Sequence, residues 1–396
     1  MKYHKNTVNA VIDSLQQVFQ HKKYTDKVLE KVLKLNPQWG SRDRKFIAET
    51  VYEITRNYRM LSEIAGSKLN FKLIFAAYLW NKNFSLPEWQ DFASMNTSIF
   101  SENKKNIILP EVLYSYPEQL WNLCENELGE KAWLKEAEAL NHQAGVVLRT
   151  NTLKISKKEL IASFEKDGIS VSEIKGFSEA LLLEKRQNVF STSQFKNGFF
   201  EVQDAGSQLI SGFLSPEPGH KIIDACAGGG GKSLHLSALT KNKGKILALD
   251  IEQWKLDNLQ KRARRAGAYN IETRIISGKE TIQKLENWAD RLLLDVPCSG
   301  TGVIKRNPDT KYKITPEIIE KTRQIQFTIL VDYSAMLKKG GQMVYSTCSI
   351  LPSENQKQVE KFLALKGKEF SLIKDKTILP SEGFDGFYMA LIGKIS

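Results

Sequence analysis

The 396-residue chain reads as an α/β protein, a doubly wound and mostly parallel sheet that follows an all-helical N-terminal region. Three observations predict this. From Pro216 onward, short apolar runs alternate with amphipathic ones, and that alternation builds a parallel sheet joined by crossover helices. Residues 1–108 instead keep apolar side chains at helical spacing, as in Val11, Leu15, Val18 and Phe19. The length also exceeds what one hydrophobic core spans, so more than one domain is expected.

Taken in order, a second helical pattern runs through Phe46, Ile47, Val51, Tyr52 and Ile54, with Asn36-Pro37 and Gly40-Ser41 breaking the chain before it. Further helices are expected through Leu61–Trp80 and around Trp89, and the polar stretch 96–110 reads as a linker. Pro117–His142 is an amphipathic helical stretch that leads into the strand-like VVLRTNTLK, a lysine-rich helix and a mixed β region ending near Val202. Strands are then expected at Lys221–Ala225, Lys245–Asp250, Ile271–Ile276, Leu292–Asp295 and Gln342–Ser346. Helices fall between them, including Gln253–Ala266 and Ile318–Leu337. Domains are placed at 1–108, 109–205 and 206–396.

Composition narrows the classes. No run approaches the ~18 apolar residues of a membrane span, and MKYHKNTVNAVIDS lacks the apolar core of a secretory signal, which predicts a cytoplasmic protein. Cys124, Cys226, Cys298 and Cys348 have neither CxxC nor Cys/His metal spacing, so free thiols and no metal are expected. The net charge is +12; twelve Lys/Arg against six Asp/Glu put half of it in the first sixty residues. A second cluster comprises Lys255, Lys261, Arg262, Arg264 and Arg265. This balance suits a polyanion such as nucleic acid and suits a solvated surface about equally well, so motifs must decide.

The first motif is KIIDACAGGGGKS, a strand, a glycine run and a helix start. Gly228, Gly229, Gly230 and Gly231 leave room for a ligand against the backbone, and Asp250 ends the next strand, where a carboxylate accepts ribose hydroxyls. A dinucleotide loop would read GxGxxG. A P-loop would need glycine where Cys226 stands. S-adenosylmethionine fits better.

The second motif is a pair of thiols. Cys298 follows the apolar run ending in Asp295, Cys348 follows the run ending in Thr347, and both stand where strands spill into loops. A lone cysteine in such a place is ordinarily an inert small hydrophobe, and Cys124 and Cys226 read that way. Two at consecutive strand ends of one cofactor-binding sheet point to covalent chemistry on a base ring. Carbon 5 of cytosine attacks a sulfonium methyl group only after a thiolate adds to carbon 6, and a second group must then handle proton removal or release. A free thiol of pKa about 8.5 needs help to ionise. Ser353-Glu354-Asn355-Gln356 reads as a capping box, which would bring a helix N-terminus close to Cys348. Asp295 is placed to hydrogen-bond the base.

These residues resemble the RNA 5-methylcytosine methyltransferases of the RsmB/Nop/Sun group, from about Tyr116 to Leu391. The likeness is strongest in LLLDVPCSGTGVIKRNPDTKY and GGQMVYSTCSILPSEN, with VLRTNTLK, GFFEVQDAGSQ and DGFYMALI in support. The resemblance implies a Rossmann-like class I methyltransferase sheet with a small RNA-recognition-like α+β subdomain. It implies Cys348 as nucleophile, Cys298 in product release, and Asp295 against base and cofactor. Cys226, Ala227, Gly228, Gly229, Gly230, Gly231 and Lys232 would wrap S-adenosylmethionine, and Asp250 would hold its ribose. RNA contacts would fall to Arg149, Asn151, Lys154 and Arg306. SRDRKFIAETVYEITR is similar to a NusB-like RNA-binding domain. The chain departs from the group's pattern in Gly228-Gly229 for Ala-Pro, in Ser277-Gly278-Lys279 where an acid faces adenine, and in His142–Gly145 where paired prolines stand. The substrate expected is structured ribosomal RNA, with transfer RNA as an alternative, and the protein is expected to be a monomer with no obligate protein partner. Two rivals stand beside this reading: a DNA cytosine-5 methyltransferase, and a non-catalytic RNA-binding factor that keeps the fold.

Overall fold

The computed structural model describes residues 3–395. The chain divides into two compact units, one running to His142 and taking in Ile304–Pro316, the other made of Gln143–Val303 and the chain from Glu317 onward.

The larger unit holds two sheets. Strands β1 (Val146–Thr150), β2 (Val171–Glu173), β3 (Ala180–Leu183) and β4 (Phe200–Val202) form an antiparallel sheet in the order β2-β3-β1-β4. The helix Lys157–Lys166 contributes Leu160 and Phe164 to its core with Leu148, Leu181 and Phe200, and Ser156 with Glu159 closes a capping box at its start. The second sheet contains β5 (Lys221–Asp224), β6 (Lys245–Asp250), β7 (Ile271–Ile275), β8 (Ala289–Asp295), β9 (Leu337–Thr347), β10 (Phe370–Ile378) and β11 (Phe387–Lys394), in the order β10-β11-β9-β8-β5-β6-β7. Pairs from β7 through β9 are parallel, and the β10–β11 hairpin adds antiparallel to β9.

Helices cover both faces, so the central strands read as unbroken apolar runs. Alternate residues of β8 serve opposite layers: Leu292 and Leu294 pack with Met343 and Tyr345, while Leu293 packs with Ile222, Leu236 and Val344. β5 lies between β6 and β8, so the winding reverses there, and the carboxyl ends of these strands flank the crevice where open α/β sheets bind ligands.

Most strands fall where the apolar runs place them, and the helix Gln253–Ala266 is as expected. The helix expected over Ile318–Leu337 runs Pro316–Tyr333, because Leu337 already begins β9. β10 is legible only in hindsight: Ser371–Lys376 are exposed on an edge strand, so the apolar signal of a central strand is missing.

The smaller unit is helical, with Val11, Leu15, Ile47, Val51, Ile54, Ile74 and Phe75 fully buried in one cluster. Gly66, in the left-handed region at φ 65°, ends the helix Tyr58–Ala65 and separates it from Phe71–Asn81. The expected linker 96–110 is corrected: it contains the helix Ser98–Lys105, and Phe100, 1% exposed, enters the core. Pro117–His142 is two helices, Glu118–Leu128 and Glu130–Leu140, divided at Gly129 with φ 83°. Ile304–Pro316 belongs to this unit through Tyr312, edge-on to Phe19 and Tyr58, and through the fully buried Lys311, which donates to the Arg56 and Tyr114 carbonyls at 3.2 and 3.0 Å. Among the described residues no helix is long and apolar enough to cross a membrane.

Candidate active site

Strand register creates the site. β8 and β9 run parallel with Asp295 opposite Ser346, so the loops leaving both strands start side by side. Cys298 Sγ then lies 3.1 Å from Cys348 Sγ, and the Cys348 backbone N–H donates to Cys298 Sγ at 3.2 Å. Ser346 Oγ donates to Asp295 Oδ1 at 3.0 Å, and Lys232 Nζ meets Asp295 Oδ2 at 2.6 Å. Lys232 comes from the first turn of the helix Gly231–Leu239, which the glycine loop starts.

Each charge has a physical cause. Burial alone would pull the Lys232 ammonium down; the charge and hydrogen bond of Asp295 outweigh it and hold Lys232 above its ordinary value. The Cys298 thiol is pushed well up, first by its hydrogen bond to Cys348, then by burial, then by the charges of Cys348 and Glu354. These surroundings disfavour the Cys298 thiolate, and in the 3.1 Å sulfur–sulfur contact either atom can be the donor.

A cavity of about 190 Å³ opens beside Lys232 and Asp295, with Asp224, Cys226, Gln203 and Arg262 among its lining. Asp224 is 1% exposed; Ser233 Oγ donates to its Oδ2 at 2.6 Å and its Oδ1 has no partner. Burial first and the charge of Asp295 second push its carboxyl up to about 7. Asp250 caps the other side of the loop, accepting from the Gly228 N–H at 2.9 Å through Oδ2 and from the Glu252 N–H at 2.9 Å through Oδ1. Gly230 sits at φ 84°, and a Cβ there would come within 2.4 Å of Leu259 Cγ. A larger groove of about 790 Å³, lined by Ile276, Ile325, Ile329 and Tyr333, contains no cysteine.

The structure thus brings Cys348, Cys298, Asp295, Lys232 and the glycine loop together, with Asp250 at the far side of the loop. Sequence reasoning missed Asp224, although an acid closing the apolar strand KIID is a readable signal. It also missed Ser346 and Glu354. The capping box at Ser353–Gln356 is corrected: the helix begins at Gln356 and no side chain caps it. Asn355 Nδ2 instead donates to the Ser349 carbonyl at 2.9 Å while its Oδ1 accepts from Thr347 Oγ1, which fixes the Cys348 loop.

Two expected RNA contacts are corrected as well. Arg149 is 1% exposed and donates to the Gly231 carbonyl at 2.7 Å and to Gln203. Asn151, 3% exposed, donates to the Gly198 and Ala266 carbonyls, both at 2.7 Å. Both sew the small sheet to the larger one. Lys154 Nζ bonds the Asn197 and Arg265 carbonyls at 2.8 and 2.7 Å. Arg306 is half-buried in the segment that belongs to the helical unit. Within the second basic cluster, Arg262 and Arg265 pair with the buried Glu201. Cys124 is buried at 1% exposure, whereas Cys226 lines the cavity.

The 16S rRNA methyltransferase RsmB/F family matches residues 211–392, and the ferredoxin-like domain of RsmF/B-like methyltransferases matches 116–190. A ribosomal RNA small subunit methyltransferase B from Vibrio vulnificus is 34% identical over 293 residues, covering 71% of this chain and 67% of that protein. The chain belongs to the RsmB/F methyltransferase family. A probable small subunit methyltransferase B from Synechocystis is 29% identical across 88% of this chain and 87% of its own length. The structure of a methyltransferase homologue from Pyrococcus horikoshii matches 72% of this chain and 98% of that one, with TM-score 0.64 and 26% identity. NSun6 from the same organism, solved with SFG, shares the fold at TM-score 0.66 and 21% identity, covering 72% of this chain and all of that one.

This methyltransferase uses S-adenosylmethionine, and its residues fit that group. The unpartnered Asp224 Oδ1 is free to accept from an ammonium, the side-chain-free loop admits a ligand against its backbone, and Asp250 presents a carboxylate at the ribose position. The Ser277 hydroxyl lies 3.3 Å from Thr281 Oγ1.

Proposed function

We propose that this RNA methyltransferase acts on carbon 5 of cytosine in small subunit ribosomal RNA, through a covalent adduct on Cys348. The observation that carries the reading is the sulfur pair, 3.1 Å apart at parallel strand ends beside the Lys232–Asp295 ion pair. When bound, S-adenosylmethionine supplies a methyl group on a sulfonium centre. Cys348, as thiolate, adds to carbon 6 and turns carbon 5 into a nucleophile. Asp295 is held between Ser346 and Lys232, so its carboxylate is oriented to hydrogen-bond the ring. After methyl transfer a solvent base takes the carbon 5 proton, that C–H electron pair forms the carbon 5–carbon 6 double bond, and Cys348 leaves carbon 6 as a thiolate. Cys298 serves this release as the neighbouring proton carrier.

Reaching carbon 6 requires an unstacked cytosine, so a loop or disrupted helix is the preferred target. Residues 1–108 are assigned to RNA reading, 109–205 to the RNA-recognition-like subdomain and 206–396 to catalysis, in a cytoplasmic monomer. The names of the relatives, small subunit ribosomal RNA methyltransferases, support a ribosomal substrate. The test incubates the protein with methyl-labelled S-adenosylmethionine and deproteinised ribosomal RNA, then digests to nucleosides. Label in 5-methylcytidine that vanishes with Cys348→Ala supports the reading. Label on another base, or faster transfer to duplex DNA, overturns it.

A further inference from the structure

Behind the two sulfurs lies a buried carboxylate that the chemistry above does not use. Glu354 is 0% exposed. Its Oε1 accepts from the Ser299 backbone N–H at 2.8 Å and from Gln326 Nε2 at 2.9 Å; its Oε2 accepts from Ser299 Oγ. Three donors on two oxygens suit a carboxylate, which only accepts. Among the described residues no lysine or arginine pairs with it. Gln326 Nε2 also donates to the Pro297 carbonyl at 2.9 Å, so the residues on either side of Cys298 are both tied, directly or through Gln326, to Glu354. Below this, Thr301 Oγ1 lies 3.0 Å from Ser349 Oγ and accepts from the Ile350 N–H at 3.1 Å, which joins the Cys298 loop to the Cys348 loop.

We propose that Glu354 is a positioning residue that clamps the Cys298 loop against the Cys348 loop and sets its carboxylate charge next to Cys298. The inference rests on the reading that Cys348 is the nucleophile and Cys298 the release group. An unpaired buried charge is a costly way to hold a loop, since a neutral amide of the same shape would accept two of the same bonds. The charge therefore has a use beyond the clamp. Every ionisable group facing Cys298 bears on this. Cys348 is in direct contact, Glu354 and Tyr345 act from β9 and the segment after it, and the Lys232–Asp295 pair faces the Cys348 side. Glu354 and Tyr345 are linked, because Tyr345 OH donates to the Glu354 carbonyl at 2.6 Å.

The test measures the pH dependence of Cys298 alkylation by iodoacetamide, read peptide by peptide in a Cys348→Ala background so that the partner thiol does not contribute. Glu354→Gln keeps the clamp, with Nε2 donating to Ser299 Oγ, and removes the charge. Its alkylation midpoint should fall by about one pH unit, the scale of a single neighbouring charge. Glu354→Asp retains the charge and should return the midpoint towards that of the parent, which loss of packing alone would not do. An unchanged midpoint in Glu354→Gln, or a midpoint in Glu354→Asp that matches the glutamine variant, overturns the proposal. Adduct formation on RNA by Cys348→Ala with Glu354 intact would instead overturn the assignment of the nucleophile, so the two failures are distinguishable.

Discussion

Replacing Asp224 with asparagine should make the protein progressively more stable than the parent as pH rises. The carboxyl is 1% exposed, one oxygen has no donor, and burial with the nearby charge of Asp295 pushes it up to about 7. An unfolded aspartate titrates near 3.9, so the folded state disfavours ionisation. The sign follows from that raised value. Below about pH 4 the group is neutral in both states and costs nothing. Between about pH 4 and 7 the unfolded chain ionises while the folded one resists, and the parent loses about 1.4 kcal/mol per pH unit. That loss amounts to roughly 2 kcal/mol at pH 5.5 and roughly 4 kcal/mol at pH 7.5 and above. Asparagine carries a fixed cost, because its amide nitrogen would occupy the position that now lacks a partner, but that cost does not vary with pH. The stability difference between variant and parent, from urea unfolding followed by tryptophan fluorescence, should therefore move by ~2 kcal/mol in favour of the variant between pH 5.5 and 7.5. A difference that stays flat across that range refutes the reasoning.

Other parts of the framework make separate predictions. Glu201 is 3% exposed and faces Arg262 at 3.0 Å and Arg265 at 2.5 Å. Glu201→Gln should cost about 3 kcal/mol in urea unfolding, the lower end for a broken buried pair because both guanidinium groups keep some solvent; a loss under about 1 kcal/mol would contradict the buried-charge account. Gly230→Ala should lower both the melting temperature and S-adenosylmethionine affinity, since φ is 84° and the new Cβ would collide with Leu259. Gly231→Ala meets nothing within 4 Å and should leave the melting temperature unchanged. RNA affinity should fall steeply with salt, because Lys and Arg contacts to phosphate release counterions; affinity independent of salt would contradict phosphate reading by this basic chain.

Much of the catalytic sheet is legible because its strands are buried on both faces, so Lys245–Asp250 and Leu292–Asp295 stand out as apolar runs ended by acids. Cys298 and Cys348 are legible for the same reason, each falling just after such a run. The edge strand β10 escapes because exposure removes the apolar pattern on which the method depends. Phe100 escapes because one buried aromatic anchors a helix whose other residues are polar or, like Ile99, exposed. Arg149 and Asn151 mislead in the opposite direction. The family resemblance assigns them to RNA, yet here they satisfy carbonyls at a seam between sheets, which depends on tertiary packing that spacing does not encode. Glu354 escapes for a similar reason. It lies inside the Ser353–Gln356 pattern that imitates a capping box, and only the fold reveals that its carboxylate reaches Ser299, fifty-five residues earlier.

The division of labour between the sulfurs is tested most directly by trapping. Cys298→Ala and Cys348→Ala are each incubated with S-adenosylmethionine and ribosomal RNA, then resolved under denaturing conditions. Cys298→Ala should accumulate a covalent protein–RNA band that carries the labelled methyl group, and Cys348→Ala should yield neither band nor product. A covalent band from Cys348→Ala, with none from Cys298→Ala, would contradict the account.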